Sequence, residues 1–238
     1  VLQYPNFYGS LEKMEEISKL IKNKKKTLLL VIANPVLLGV LKAPADFGAD
    51  IVVGEAQNLG SGLNYGGPNL GFMACQDDRR MLRQLPGRIV GKTNDVEGKE
   101  GFVLTLQTRE QHIRREKAAS NICTNEALNA LMATIYLSAM GREGLKEVGE
   151  QCYHKAHYLA QKIDSLTGFE VFNRDNFFNE FVLKTKKDST DLRKKLLEAD
   201  IIVGYDLKEI GKEGILVCVT EKRTKAEMDK LVEKMEVL

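Results

Sequence analysis

The sequence predicts an α/β protein in which part of a mainly parallel sheet is followed by a small C-terminal α+β domain. The first 33 residues follow the pattern strand, helix, strand, and they end in the uninterrupted apolar run TLLLVIA at residues 27–33. Such a run is typical of a strand in a parallel sheet, and the order fits a right-handed crossover unit. Later, two long helical patterns meet at Gly141 and lead into short strands alternating with helices.

The elements before residue 108 each have a local reason. Ser10 is expected to cap a helix that runs to about Lys22, because its side-chain oxygen can accept from a free N–H group of the first turn. Apolar residues recur along that helix at helical spacing, and basic residues close it. A short helix is predicted at residues 35–41, and the other strands are predicted at residues 1–4, 51–53, 72–75, 88–91 and 102–107.

The second half of the chain is richer in long helical patterns. Helices are predicted at residues 124–140, which end at Gly141, and at residues 143–166, which end near Gly168. The following pattern predicts strands at residues 170–172, 180–184, 201–204 and 215–220, with helices at residues 189–199 and 225–237. We expect the domain boundary near residue 145, which gives domains of residues 1–145 and 146–238.

Composition excludes several classes of protein. The chain has 238 residues, of which 43% are hydrophobic, and a formal net charge of +2. These values disfavour wholesale disorder and a nucleic-acid binder, and no apolar run is long enough to cross a bilayer. The four cysteines are widely spaced and the pair His154 and His157 lacks further ligands, so we expect no metal site. Free cysteines without a signal peptide indicate the cytoplasm.

The most unusual segment is rich in glycine. Residues 60–71 contain five glycines, which indicates positive φ angles or a close approach of the backbone to another group. The spacing does not fit the dinucleotide fingerprint, and no Gly-Lys-Ser/Thr phosphate loop is present. Two interpretations stay open, namely a tight loop over a sheet edge and a loop that approaches a ligand or another subunit.

A charged segment precedes the first long helix. Residues 108–125 carry Arg109, Arg114, Arg115 and Lys117 and end in Ser-Asn-Ile-Cys-Thr-Asn. One interpretation is a solvated helix face. The other is a site for a carboxylate or phosphate, because small hydrogen-bonding side chains and free N–H groups gather where a helix begins.

These two segments, together with the opening QYPNFYGSLE, resemble the glycine cleavage system P-protein family. The similarity is to subunit 1 of its split bacterial and archaeal form, and it is strongest from residue 1 to about Gly141. The resemblance implies a fold-type I transferase-like fold, in which pyridoxal phosphate serves as the electron sink for glycine decarboxylation. It also implies transfer of the aminomethyl group to the lipoyl arm of the partner H-protein.

The resemblance places an asparagine where the cofactor lysine of subunit 2 lies. Laying Gly48, Ala49 and Asp50 on the start of the subunit 2 motif puts Gln57 at its histidine and Asn58 at its lysine. Asn58 cannot form an imine, so the cofactor would be bound through the lysine of the partner subunit in an α2β2 assembly. No catalytic residue is then expected in this chain.

The resemblance also suggests which residues of this chain reach the active site that it shares with subunit 2, where the substrate glycine binds. The first group, expected to line the substrate or lipoyl channel, is Asn64, Tyr65, Gly66 and Gly67. The second group, expected to make anion or interface contacts, is Arg114, Arg115, Lys117, Ser120, Asn121 and Thr124. Two alternatives stay open for these residues. The ancestral paired fold could need them for packing, or this chain could be a purely structural subunit that docks H-protein.

The start of the chain at Val1 suggests the C-terminal half or so of a longer subunit. We therefore expect a fragment that is inactive by itself. An uncovered sheet edge or apolar face would then drive self-association of the chain.

Overall fold

The first sheet has four strands in the order β1-β2-β3-β4. The structure is a computed structural model, and it describes residues 1–24, 26–118 and 126–238. Leu2 lies opposite Val31 and Leu30 lies opposite Ile51, so the first three strands pair in parallel as the sequence predicts. The strands are β1 (Leu2–Tyr4), β2 (Leu30–Ala33), β3 (Ile51–Glu55) and β4 (Gly71–Cys75). Helix α1 (Met14–Lys22) connects β1 to β2, and the predicted short helix is a 3-10 turn at Leu37–Gly39.

The expected helix cap at Ser10 is wrong. Helix α1 begins at Met14, and no side chain caps it. Ser10 is instead buried, where its Oγ accepts a hydrogen bond of 2.5 Å from Asn173 Nδ2 and its N–H donates to Asn6 Oδ1. The local pattern assigns the hydroxyl of Ser10 to the start of the helix, but this hydroxyl instead binds Asn173, which lies far along the chain.

The contact pattern divides the chain into two compact units. We call residues 1–74 with 128–238 the main unit and residues 75–127 the hairpin unit. The hairpin unit contains an antiparallel ribbon in which Ile89 lies opposite Thr105 and Asn94 lies opposite Glu100. Its elements are α2 (Arg79–Gln84), β5 (Ile89–Asn94), β6 (Glu100–Thr105) and α3 (Gln111–Arg114).

A long helix, α4 (Ala127–Asp164), continues the main unit. Gly141 interrupts it with φ 60° and ψ −170°, at the position where the sequence predicts one helix to end. The predicted domain boundary near residue 145 falls inside α4 and stays a prediction.

The C-terminal part of the main unit is an antiparallel sheet covered by helices. The strand order is β7-β8-β10-β9. Residues of α4, α5 and α6 join the sheet residues in one hydrophobic core, in which Phe181, Leu183 and Ile215 are fully buried. The remaining elements are β7 (Phe169–Phe172), β8 (Glu180–Thr185), α5 (Ser189–Glu198), β9 (Tyr205–Asp206), β10 (Ile215–Cys218) and α6 (Lys225–Glu236).

One predicted strand, at residues 201–204, is displaced along the chain. Pairing with β10 begins only at Tyr205, which lies opposite Leu216. Ile202 is 85% exposed, and Gly204 has a φ of 157°. The apolar run Ile-Ile-Val therefore leads into the sheet without joining its ladder.

Candidate functional site

The candidate site lies beyond the carboxyl ends of the parallel strands β2 and β3, where open α/β sheets bind their ligands. Asn34 directly follows β2, and Asn58 comes three residues after β3 ends at Glu55. The Nδ2 of Asn58 donates to Oδ1 of Asn34 at 2.9 Å, and the same oxygen accepts the N–H of Val36 at 3.0 Å. Asn58, which the resemblance places where subunit 2 has its lysine, is therefore held by Asn34 at the end of the neighbouring strand β2.

Two cavities of the main unit meet at these asparagines. The larger measures about 570 Å³ and the smaller about 310 Å³, and Asn34, Gln57 and Asn58 line both of them. Both volumes suit a small molecule or cofactor. The smaller cavity also includes Glu180, whose pKa is raised by burial.

Side chains at the end of β3 organise the glycine-rich segment. Oε1 of Glu55 accepts the N–H groups of Gln57 and Leu70, each at 2.9 Å. Nε2 of Gln57 donates to the carbonyl oxygen of Gly62 at 2.8 Å. The segment leaves the sheet at Glu55 and returns to the same carboxylate, so it is a closed loop over the strand ends.

The first part of this loop lines the larger cavity, and the second part is a surface turn. Gly60 has a φ of 93°, and a Cβ at that position would lie 2.8 Å from Tyr136 Cβ, so only glycine fits there. Asn64 and Tyr65 have φ angles of 49° and 52°, and the Tyr65 side chain is fully exposed. The predicted residues Asn64, Tyr65, Gly66 and Gly67 thus share an exposed turn and are not among the residues that line the cavity.

Asn129 closes the loop from the other side, and sequence reasoning missed it. Its side chain is 5% exposed, and its Nδ2 donates to the carbonyl oxygens of Pro68 at 3.1 Å and Asn69 at 3.2 Å. It lies four residues before the buried Ala133, on the packed face of α4. An asparagine at an apolar helical position was the available signal, since such a group needs a partner.

Cys152 is the buried thiol of the larger cavity. Its Sγ lies 3.5 Å from Oε2 of Glu221, and burial together with that carboxylate raises the pKa of Cys152 to about 12. The thiol therefore stays protonated at neutral pH and is a weak donor, not a nucleophile. The described residues contain no group of three or more His, Cys, Asp or Glu arranged to hold a metal ion.

The predicted cationic residues belong to the hairpin unit. Arg114, Arg115 and Lys117 are exposed, and none of them forms an ion pair in the described part of the chain. Nε of Arg114 donates to the carbonyl oxygen of Thr108 at 2.9 Å. Ser120, Asn121 and Thr124 lie outside the described residues.

Solved structures define the class of fold. The chain matches sphingosine-1-phosphate lyase of Burkholderia pseudomallei K96243 with a TM-score of 0.67 and 15% identity, over 99% of this chain and 51% of that chain. It matches a cysteine desulfurase from Thermococcus onnurineus NA1 with a TM-score of 0.66 and 14% identity, over 99% and 59% of the two chains. These similarities show the fold alone, which is the predicted fold-type I architecture of pyridoxal-phosphate-dependent enzymes.

More specific matches point to one family. A crystal structure of glycine decarboxylase (P-protein) of the glycine cleavage system, in inhibitor-bound form, matches with a TM-score of 0.90 and 41% identity, over 100% of this chain and 54% of that chain. The family model "Glycine cleavage system P-protein" matches residues 1–235. The chain therefore belongs to the glycine cleavage system P-protein family, as the resemblance implied.

Curated relatives are consistent with this family and add the type of subunit. Two carry the name "Probable glycine dehydrogenase (decarboxylating) subunit 1". The relative from Chlorobium luteolum is 54% identical over 96% of this chain and 51% of its own length. The relative from Moorella thermoacetica is 52% identical over 99% of this chain and 53% of its own length. The chain thus spans about half the length of these relatives.

The cavity residues do not fit a pyridoxal phosphate group held covalently by this chain. Asn58 carries an amide, which cannot form an imine, and its nitrogen is engaged by Asn34. Lys222 is the one lysine among the described residues that line the two cavities, and it follows β10 rather than β3. The loop after β3 therefore lacks an attachment group for the cofactor.

Proposed function

We propose that the chain is the cofactor-free part of a glycine dehydrogenase (decarboxylating) that completes an active site carried by subunit 2. The observation that carries the proposal is Asn58, fixed by Asn34 at the strand ends where the resemblance places the cofactor lysine. In the assembly, pyridoxal phosphate is bound through the lysine of subunit 2 and supplies the electron sink for glycine decarboxylation. The aminomethyl group then passes to the lipoyl arm of H-protein, and the α2β2 complex works in the cytoplasm.

The two predicted groups of residues contact that shared site. Asn64, Tyr65, Gly66 and Gly67 line the channel for the substrate or the lipoyl arm, and the full exposure of Tyr65 supports a role outside its own chain. The second group supplies anion or interface contacts. Its described members, Arg114, Arg115 and Lys117, form no ion pair with another described residue, which supports this role. The full group is Arg114, Arg115, Lys117, Ser120, Asn121 and Thr124.

Reconstitution with subunit 2 tests the proposal. Purified chain, subunit 2, H-protein, pyridoxal phosphate and labelled glycine are combined, and release of labelled CO2 is measured. We expect activity that depends on both subunits, and we expect Tyr65→Ala and Arg114→Ala to lower it by about tenfold each, since remote binding contacts support the reaction. Phe172→Ala and Arg142→Ala, at exposed positions outside both groups, serve as matched controls.

A second candidate function is a purely structural subunit that supports assembly and docks H-protein. The observation that favours it is the absence of a lysine from the loop between β3 and β4, which leaves this chain without an obvious chemical role. If the Tyr65→Ala and Arg114→Ala complexes assemble and decarboxylate glycine normally, the structural function is correct and the shared site is not.

An independent pyridoxal phosphate enzyme is the opposite extreme, and Lys222 is the residue that would support it. The chain alone is incubated with pyridoxal phosphate, reduced with borohydride and mapped by mass spectrometry. We expect no stoichiometric adduct at Lys222, because the lysine is not on the loop after β3. A stoichiometric adduct there would overturn the proposed division of labour.

We also propose that the chain self-associates in the absence of its partners. Leu128, Leu131 and Ile135 recur at helical spacing on α4 and are 71%, 55% and 60% exposed. Exposed apolar surface of this kind favours association. Static light scattering that shows a clean monomer would contradict this expectation.

A further inference from the structure

The exposed turn of residues 64–67 is followed directly by an anchor from helix α4. Nδ2 of Asn129 donates to the carbonyl oxygens of Pro68 at 3.1 Å and Asn69 at 3.2 Å. These carbonyl groups belong to the first two residues after the turn. The side-chain amide of Asn129 therefore fixes the point at which the chain leaves the turn.

Asn129 lies on a part of α4 that is itself fixed. One helical turn later, Ala133 is buried in a cluster with Ala56 and Leu59, which lie in the segment that follows strand β3. Asn129 is 5% exposed, and both of its hydrogen bonds cross from the helix to the glycine-rich loop. Because the packed helix is a rigid element, the amide holds the loop at a defined position.

The turn has a backbone conformation that its own residues do not favour. Tyr65 has a φ of 52°, in the left-handed region, which is costly for a tyrosine. Two backbone hydrogen bonds close the turn, from Gly66 to Leu63 at 3.0 Å and from Gly67 to Asn64 at 3.2 Å. The Tyr65 side chain is fully exposed and adds no packing. The conformation therefore depends on the contacts that flank the turn.

A second anchor lies before the turn, and it differs from Asn129 in one respect. Nε2 of Gln57 donates to the carbonyl oxygen of Gly62 at 2.8 Å. Among the described residues that line the two cavities, Gln57 is included and Asn129 is not. A change at Gln57 would alter the cavity and the loop together, whereas a change at Asn129 acts on the loop.

We propose that Asn129 is a positioning residue of the active site that this chain shares with subunit 2. Its amide holds the turn of residues 64–67 in the conformation in which Tyr65 reaches the channel for the substrate or the lipoyl arm. The inference rests on the proposed function, which places the turn at that channel. Without the amide the turn samples other conformations, and the conformation that binds is populated less.

Amide hydrogen exchange of the full chain measures the anchor directly. Asn129→Leu removes the donors and keeps the branched shape of the side chain, and the two carbonyl groups lie on exposed residues that water can reach. We expect exchange at Gly66 and Gly67 to accelerate about fivefold. Thr134→Ala is the matched control, because it removes one bond to a carbonyl group of α4 at an exposed position, and it should change exchange less than about twofold.

Kinetics of the assembly with subunit 2 and H-protein test the positioning role. For the ligand whose use Tyr65→Ala impairs, glycine or H-protein, we expect Asn129→Leu to lower kcat/KM about fivefold. We expect kcat to stay within about twofold of the unmodified assembly, because a bound ligand selects the competent turn. Loss of a merely structural contact would reduce the amount of active enzyme, which lowers kcat and leaves KM unchanged.

A double variant shows whether Asn129 acts through the turn. Tyr65→Ala removes the side chain that the amide positions, so adding Asn129→Leu to it should change kcat/KM by less than about twofold. Asn129→Ala removes the same donors without enlarging the side chain, and it takes the place of Asn129→Leu if that variant does not fold. Circular dichroism and the thermal midpoint check the fold of each variant.

The outcomes separate this inference from the proposed function. If Tyr65→Ala lowers activity and Asn129→Leu does not, Asn129 has no positioning role while the proposed function stands. If Asn129→Leu lowers kcat/KM equally with and without Tyr65→Ala, the residue acts independently of the turn and the inference is also wrong. If neither variant changes activity, the turn does not reach the shared site, so that part of the proposed function fails and the inference falls with it.

Discussion

The C-terminal part of the main unit and the hairpin unit use similar residues in opposite ways. In β8 and β10, Phe181, Leu183 and Ile215 are fully buried beneath three helices. In β5 and β6, Val90, Phe102 and Leu104 stay exposed. Hydrophobic content is therefore not what distinguishes a buried core from an exposed ribbon. The difference lies in whether other elements of the same chain supply the second layer.

The largest expected effect is a test of that difference with one residue type. Phe181→Ala removes a fully buried ring, so we expect the free energy of unfolding to fall by about 3–5 kcal/mol. Phe102→Ala removes a ring that is 75% exposed, and we expect a loss below about 0.5 kcal/mol. Urea unfolding followed by circular dichroism measures both. Equal losses would show that the ribbon is packed in the chain itself.

A buried carboxylate gives the next effect and brings pH into the comparison. Asp206 is 2% exposed; burial opposes its charge, but the hydroxyls of Thr190 and Ser189 and the N–H of Lys208 donate to it and lower its pKa. Because the folded pKa is lowered, the ionised carboxylate of Asp206 contributes to the free energy of unfolding. This contribution is present above the unfolded pKa of about 3.9 and is lost as pH falls through the folded pKa.

Asp206→Asn removes that contribution. We expect a loss of about 2 kcal/mol near pH 7 and a smaller difference from the unmodified chain as pH falls below about 4. Asp191→Asn, whose ion pair with Lys195 is solvent-exposed, is the control and should cost less than about 0.5 kcal/mol. A difference between Asp206→Asn and the unmodified chain that stays constant down to pH 2.5 would contradict the role given to the charge.

The fold was largely predictable because its signals are local. The apolar run before Asn34 and the break at Gly141 both appear in short windows of sequence, and both are found in the structure. The role of Ser10 was not predictable, because its partner Asn173 lies 163 residues away.

In the candidate site, too, local features could be predicted and contacts between distant residues could not. Alignment to a known motif was enough to place Asn58 at the strand ends. The local sequence shows that Asn129 needs a hydrogen-bond partner, but it does not show which one, because the carbonyl groups that it binds lie 61 and 60 residues earlier. The exposure of the ribbon was equally hidden, since the apolar residues Val90 and Phe102 predict a strand whether or not another layer covers it.

Two glycines of one loop repeat the comparison between packed and open positions at the scale of a single residue. Gly60 has a φ of 93° and meets Tyr136, whereas Gly66 has a φ of 100° and no atom within 4 Å of an added Cβ. Both alanine variants carry backbone strain of about 1–2 kcal/mol, but Gly60→Ala adds a steric clash. We expect Gly60→Ala to cost about 1 kcal/mol more than Gly66→Ala in thermal unfolding. Equal costs would mean that the loop can move away from α4.

The smallest expected effect concerns Arg109, whose guanidinium joins the end of α2 and the start of β5 to the segment after β6 in the hairpin unit. Arg109→Ala removes donors to the carbonyl oxygens of Arg83, Leu85 and Gly87, so we expect amide hydrogen exchange in β5 and β6 to accelerate roughly fivefold, equivalent to about 1 kcal/mol of local stability. Arg114→Ala, which removes one bond to a carbonyl, should accelerate it less than twofold. Unchanged exchange in Arg109→Ala would mean that the strand ladder alone holds the ribbon.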